Sequence, residues 1–366
     1  MTALTEKAAA DLLAAEAFSP GLPGFVGIAV DLLLDPASAP SGRRPLRHGF
    51  LDARSPRVMV VSGPPSPGLE VALRRMADDT AASTRLVEKH RLTVLDQATD
   101  TVHPDGPEHA LGTATAGIRI GLEPGLDGGG PLGLGRRWNL AHTLTPVLAA
   151  AFANAPLRHG RPTGWRSVRQ ALRRELPVAS PVAPPVASPV APPVASPVGG
   201  ARESWAAYVL QARTATGRSL RDALHAGTRI TVSDLRRHRD ALRPPVAARG
   251  HLELDVADRQ PGSGWRLPVT VATVLMDDPR AAEEAWEATK HLVGEVGLWE
   301  RAARDALTDP VLAAAARECF VAAYGALARQ GAGRELRDAV AEFTERYVHR
   351  GRCPADDILD QVTAHS

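Results

Sequence analysis

Arg249-Gly-His-Leu-Glu-Leu-Asp-Val-Ala-Asp-Arg-Gln-Pro-Gly-Ser-Gly-Trp265 begins as a strand and ends as a turn. Leu252, Leu254 and Val256 alternate with His251, Glu253 and Asp255, the period of a β-strand. That period puts Glu253 and Asp255 on one face and the leucines on the other. Carboxylates aligned on a sheet face, with Arg249 and Arg259 close by, suit a site that holds cations and phosphates. The competing reading is a half-buried edge strand with a solvated outer face.

Working outward, Phe25–Leu34 is a continuous apolar run and reads as a buried strand. Arg57–Val61 and Thr115–Leu122 read as further strands. Helices are expected over Thr5–Ala17, Leu69–Leu92 and Trp138–Ala153, and through most of the chain after Ser204. Pro36–Pro56 reads as loop. Ser233 looks like a helix N-cap, and Pro310 suits a first helical turn. After the proline repeat the chain reads as mainly helical. The segment 178–200 repeats Val-Ala-Ser-Pro-Val-Ala-Pro-Pro, which forbids helix and sheet and favours an extended surface loop or linker within a single domain over 1–366.

Composition narrows the function classes. The chain has 366 residues, 44% of them hydrophobic, and a net charge of +2. Basic residues are mostly arginine; lysine occurs only at Lys7, Lys89 and Lys290. No long basic run is present, so neither nucleic acid nor an anionic membrane is an expected partner. Arg173-Arg174 and Arg236-Arg237-His238-Arg239 read as solvated helix faces. Cys319 and Cys353 have no metal-ligand spacing and fit a reducing cytoplasm. No signal peptide is evident, and the apolar run Val147–Ala153 is too short to span a bilayer.

Gly128-Gly-Gly-Pro-Leu-Gly133 matches G-x-G-x-x-G between a strand and a helix. Its long loop and Pro131 argue against a dinucleotide-binding turn, so a nicotinamide-dependent oxidoreductase rests on that match alone. Lone histidines such as His142 and His291 read as structural. Phe152–Arg169 is richer, because it gathers arginines, Asn154 and Thr163 at a helix start, where anions bind. An ordinary corner with exposed arginines explains the same residues.

These blocks resemble the glutamate–cysteine ligase type 2 family, most closely its actinobacterial branch, which makes γ-glutamylcysteine for ergothioneine. The matching residues are Phe152–Pro156, Gly160–Arg169, Arg249–Trp265, Leu275–Ala282 and Phe343–Asp356, with Arg136–His142 fitting as well. The resemblance implies an α+β chain with a glutamine-synthetase-like catalytic fold, a curved and mainly antiparallel sheet backed by helices. It implies ATP and Mg2+, with glutamate and cysteine as substrates. Glu253 and Asp31 would be metal ligands, Arg249 and Arg169 catalytic. Arg161, Trp165, Asn154 and Gln260 would contact substrate or phosphate.

The N-terminal third departs from that pattern. Val26-Gly-Ile-Ala-Val-Asp31 has Ala29 and Asp31 where the family has glutamates. Val60 stands where a carboxylate belongs, Arg119 replaces a glutamine, and Asp255 replaces an arginine. Two readings stay open at this point. One is a working ligase, cytoplasmic, with a rearranged metal site. The other is a catalytically degenerate relative that binds or regulates.

Overall fold

A computed structural model describes residues 4–35, 42–100, 114–174, 200–214 and 217–364. The repeat therefore lies almost wholly outside the described residues. The strands are β1 (Phe25–Asp35), β2 (Arg44–Pro45), β3 (Phe50–Ser55), β4 (Val58–Ser62), β5 (Ser66–Pro67), β6 (Thr93–Leu95), β7 (Gly117–Leu122), β8 (Leu157–Arg158), β9 (Arg161–Pro162), β10 (Val246–Ala248) and β11 (Leu252–Asp258). Nine of them form one sheet, ordered β10-β11-β7-β1-β4-β3-β2, with β5 and β6 also pairing β1. Every strand pair in it is antiparallel. β8 and β9 make a separate hairpin.

The α+β expectation holds, and the reason is visible in the central strand. β1 alternates Val26, Ile28, Val30, Leu32 and Leu34 on one face, all buried. Their ladder partners Met59, Val61, Ile118, Ile120 and Leu122 share that face. Helices Leu69–Lys89, Leu134–Ala151 and Arg266–Asp277 pack over it. Each such side chain taken out of water contributes roughly 1.5–3 kcal/mol, which fixes the register of the sheet. The opposite face of β1 carries Ala29, Asp31 and Leu33, and the site is built there.

At one end of this second face Leu33 packs with Val58, Ala114 and Ala116 in a small satellite core. Further along, the face becomes charged. β11 is not an edge strand, because β7 and β10 flank it. Its register shifts between Leu254 and Ala257, a bulge that leaves Asp255 and Val256 both buried.

Several expectations change. Pro36–Pro56 is not all loop, since Phe50–Ser55 is a strand between β2 and β4. Its alternation, Leu51 inward with Asp52 and Arg54 outward, is short and strongly polar, so no hydrophobic run marked it. Arg174 is buried and Arg173 half-buried, its side chain only 7% exposed, rather than solvated. Thr231, not Ser233, caps its helix, in a reciprocal capping box with Asp234. The glycine loop lies outside any parallel strand–helix–strand unit, which removes the dinucleotide reading. Pro310–Arg329 is long and apolar enough to cross a membrane, a feature the run-length reading overlooked. It instead buries Leu312, Phe320 and Leu327 and packs on neighbouring helices, as core helices do.

Candidate active site

Cross-strand pairing assembles the charged face. Ala29 on β1 lies opposite Ser62 on β4 and Arg119 on β7, and Asp31 lies opposite Val60. Gly121 on β7 lies opposite Glu253, which in turn faces Ala247 on β10. β3 adds Phe50 and Asp52, across from Ser62 and Val60.

Asp31 is almost fully buried. Arg54 Nη1 stands 3.0 Å from its Oδ2 and Arg119 Nη2 3.4 Å from its Oδ1. The backbone N–H of Gly117 donates to Oδ2 at 3.0 Å. Burial works to raise the Asp31 pKa, but the guanidinium groups of Arg54 and Arg119 outweigh it and hold the carboxyl below its ordinary value. Burial likewise opposes the charge of Arg119, yet Asp31, Asp255 and Glu253 together keep its pKa raised. Arg119 is thus a fixed cation among carboxylates from β1 and β11.

Behind it lies a second buried cluster. Asp255 pairs with Arg169 and Arg173; the first two are buried and the Arg173 side chain is nearly enclosed. Arg169 also donates to the Ala257 carbonyl at 3.3 Å and approaches Asp258 at 3.4 Å. Burial pulls the Arg173 pKa down to about 10 despite Asp255. Arg174, stacked on the Trp299 ring at 4.0 Å, is lowered to about 9 by burial and by Arg173 and Arg169.

Two cavities open over this face. One, about 410 Å3, is lined by Arg54, Arg119, Arg243, Arg249, Asp240 and Glu253 among others. The other, about 210 Å3, is mainly apolar, with Phe25, Ile28, Pro65, Leu122 and His251 in its wall. Ser62, Arg119 and Glu253 belong to both walls, so the chambers meet there.

The expected site residues divide accordingly. Arg249 and Glu253 reach the cationic chamber, with Arg249 Nε 3.6 Å from Glu253 Oε1. Asp31 lies just beneath it, bound to two lining arginines. Arg169 is enclosed behind the face. Asn154 Nδ2 donates to the Arg259 carbonyl at 2.8 Å, and Gln260 Nε2 to the Phe152 and Asp258 carbonyls at 3.0 Å. Both are buried and hold loops together. Trp165 packs with Val168, Ala171 and Ala303, and Arg161 is exposed on the β8–β9 hairpin. Sequence reasoning missed Arg54, Arg243 and Ser62. The Phe50/Asp52/Arg54 alternation was the available signal for the first.

The expected magnesium site fares differently. Among the described residues no group of three histidine, cysteine or carboxylate side chains is arranged to hold a metal ion. Asp31, expected as a ligand, has both oxygens beside guanidinium or amide donors, and Glu253 faces Arg249 and Arg119. Mg2+ requires hard oxygen donors in near-octahedral array, whereas the ladder partners of Asp31 and Glu253 here are Val60, Gly121 and Ala247, none of which carries a side-chain oxygen. The residues present do not fit a divalent ion.

The fold is shared with a solved bifunctional glutathione synthetase from Pasteurella multocida. That structure superposes with a TM-score of 0.52 at 14% identity, covering 98% of this chain. The chain spans only 52% of that protein, and the likeness is one of fold. Sequence narrows the class. The pattern of Glutamate-cysteine ligase family 2 (GCS2) matches residues 70–366, and the chain belongs to that family. The glutamate–cysteine ligase EgtA of Mycolicibacterium smegmatis is 32% identical over 344 residues, 83% of this chain and 76% of that protein. EgtA of Mycobacterium tuberculosis is 30% identical over 345 residues, 83% and 75% respectively.

Proposed function

We propose that this chain is an ATP-dependent glutamate–cysteine ligase that forms γ-glutamylcysteine through a γ-glutamyl phosphate, supplying ergothioneine biosynthesis in the cytoplasm. The observation that carries the reading is the likeness to glutamate–cysteine ligases over 83% of the chain. The paired cavities support it, since a cationic chamber beside an apolar one suits a substrate with phosphate and nucleoside ends.

In this reading a γ-carboxylate oxygen of glutamate attacks the terminal phosphorus of ATP. The bond to the β,γ-bridging oxygen breaks and ADP leaves. The cysteine amine then attacks the acyl carbon, the acyl C–O bond breaks, and inorganic phosphate departs. Charge on the transferring group falls to Arg119, Arg243 and Arg249, whose fixed donors act in a partly desolvated wall. Glu253, shared by both chambers, accepts the proton the amine gives up. Arg169 acts as a positioning residue by holding Asp255. No step is routed through magnesium.

The test is direct. Purified full-length chain receives ATP, a magnesium salt, glutamate and cysteine, and γ-glutamylcysteine is followed by mass spectrometry. Product is expected, and Glu253→Ala should reduce its rate at least ~100-fold, as for loss of a general base. Product no greater than in the Glu253→Ala reaction would refute the assignment.

A further inference from the structure

We propose that the cationic chamber binds a polyphosphate tail through guanidinium groups alone, without a divalent cation. The inference rests on the ligase reading only for the choice of polyphosphate as the anion.

The argument starts from the lining. Arg43, Arg54, Arg119, Arg243 and Arg249 outnumber the acidic wall residues Asp52, Asp240 and Glu253. Of these arginines, Arg243 has no ion pair among the described residues and Arg249 has only long ones. Arg243 donates to the carbonyls of Asp240 and Leu242, and no ion pair within 4.0 Å involves it among the described residues. Arg249 donates to the carbonyls of Arg239 and Leu242, its nearest carboxylates standing at 3.6 and 3.8 Å. Arg243 is pressed by burial and then by the charge of Arg249, which lowers its pKa. An arriving anion relieves that repulsion.

The second strand of the argument is what Arg119 does. It stands on β7 directly across from Ala29 and carries its charge between Asp31, Asp255 and Glu253. A bound metal would neutralise those carboxylates and present positive charge to a phosphate. Arg119 and Arg54 already do the first, at 3.4 and 3.0 Å from Asp31, and as members of the cavity wall they are placed to do the second. A guanidinium needs no assembly from solution, and its planar fork offers several N–H donors to phosphate oxygens. The neighbouring apolar chamber, meeting this one at Ser62 and Arg119, is where a nucleoside attached to the tail would lie.

The experiment is isothermal titration of the full chain with inorganic tripolyphosphate and, separately, with ATP, each in EDTA and in excess magnesium. Binding is expected in EDTA for at least one of them, and magnesium should weaken it, because the metal shields the charge the arginines read. Tighter binding of ATP than of tripolyphosphate assigns the site to a nucleotide; the reverse order assigns it to free polyphosphate. Arg243→Ala, at an exposed position of the rim, should weaken binding about tenfold through loss of one charge-assisted contact. Arg119→Gln should weaken it further, with far-ultraviolet circular dichroism confirming that both variants remain folded. Binding that appears only when magnesium is present, or an Arg243→Ala titration indistinguishable from the parent, overturns the inference. The two readings fail separately: binding in EDTA without amide product removes the ligase reading alone, and magnesium-dependent binding with turnover removes this one alone.

Discussion

Replacing Asp255 by alanine removes the counter-charge of two buried guanidinium groups. Arg169 has no exposed side-chain surface and Arg173 has 7%. Neither can turn to water, because the helix that carries them, Val168–Arg173, is pinned by the Ser167 cap and by Gln170, which donates to the Val256 carbonyl. Breaking a buried ion pair from one side destabilises by about 3–5 kcal/mol, a large share of the ~5–15 kcal/mol a folded protein holds in reserve. With a urea slope near the upper end of ~1–3 kcal/mol/M, the midpoint should fall by roughly 1–2 M. Urea unfolding at pH 7, followed by tryptophan fluorescence, measures it. Asp240→Ala, at a side chain 60% exposed, serves as the comparison and should shift stability by no more than ~0.5 kcal/mol. The pH dependence has a definite sign. Burial opposes ionisation of Asp255, but Arg173 and Arg169 hold its pKa well below the ordinary 3.8. Its contribution is therefore complete above about pH 4 and drains away as the pH falls further. An Asp255→Ala midpoint within the scatter of Asp240→Ala would refute the view that this cluster holds β11 to the arginine helix.

Other expectations follow from the same geometry. His142 is half-buried edge-on against Trp138, 4.5 Å between ring centroids, and desolvation lowers its pKa from 6.5 to about 3. The unfolded chain then binds the extra proton, so His142 makes the protein lose stability as the pH falls from 6.5 towards 3; His142→Phe should flatten the melting temperature across that window, and an unchanged slope would contradict the assignment. A Cβ on Gly117 would overlap the locked Arg169 guanidinium, so Gly117→Ala should destabilise by about 1–3 kcal/mol in urea unfolding, as overpacking does. The triple variant Ala29→Glu, Val60→Glu, Arg119→Gln places new carboxylates across the ladder from Ser62 and Asp31 and withdraws the internal cation; titration calorimetry should then detect Mg2+ binding that the parent lacks, and silence in both would count against the reading of Arg119 as a metal surrogate.

The main elements were legible because burial writes itself into periodicity. β1 is an apolar run broken within by Gly27 and Asp31, and β7 and the helix Leu134–Ala151 follow hydrophobic patterning close to the expected bounds. β3 was not legible, since half of its residues face a charged surface and its pairing partners supply the stability. The bulge in β11 was hidden too. A strict period of two accounts for Glu253 and Asp255 sharing a face, but not for Asp255 being drawn into a buried arginine pair with Val256 also enclosed. At the site, the substitutions at Ala29, Val60 and Arg119 could be read from the chain. Their meaning could not, because it depends on Arg54, which comes from a stretch that looked like loop and arrives beside Asp31 only through two successive hairpin pairings. The block Phe152–Arg169 read equally as an anion corner and as an ordinary one, and Asn154 and Arg169 in it are both engaged internally.

Strand order along the chain sets the timetable of biosynthesis. β1 can find β4, β6 and β7 once residue 122 has left the ribosome, but the free margin of β7 waits for Leu252–Asp258. Through that interval of translation a nascent sheet displays the unpaired amides of Gly117–Leu122 and the oily underside of Ile118 and Ile120. A chain released before residue 258 therefore carries a sticky border, and ribosome-bound intermediates stalled in that interval should be the ones that recruit chaperones.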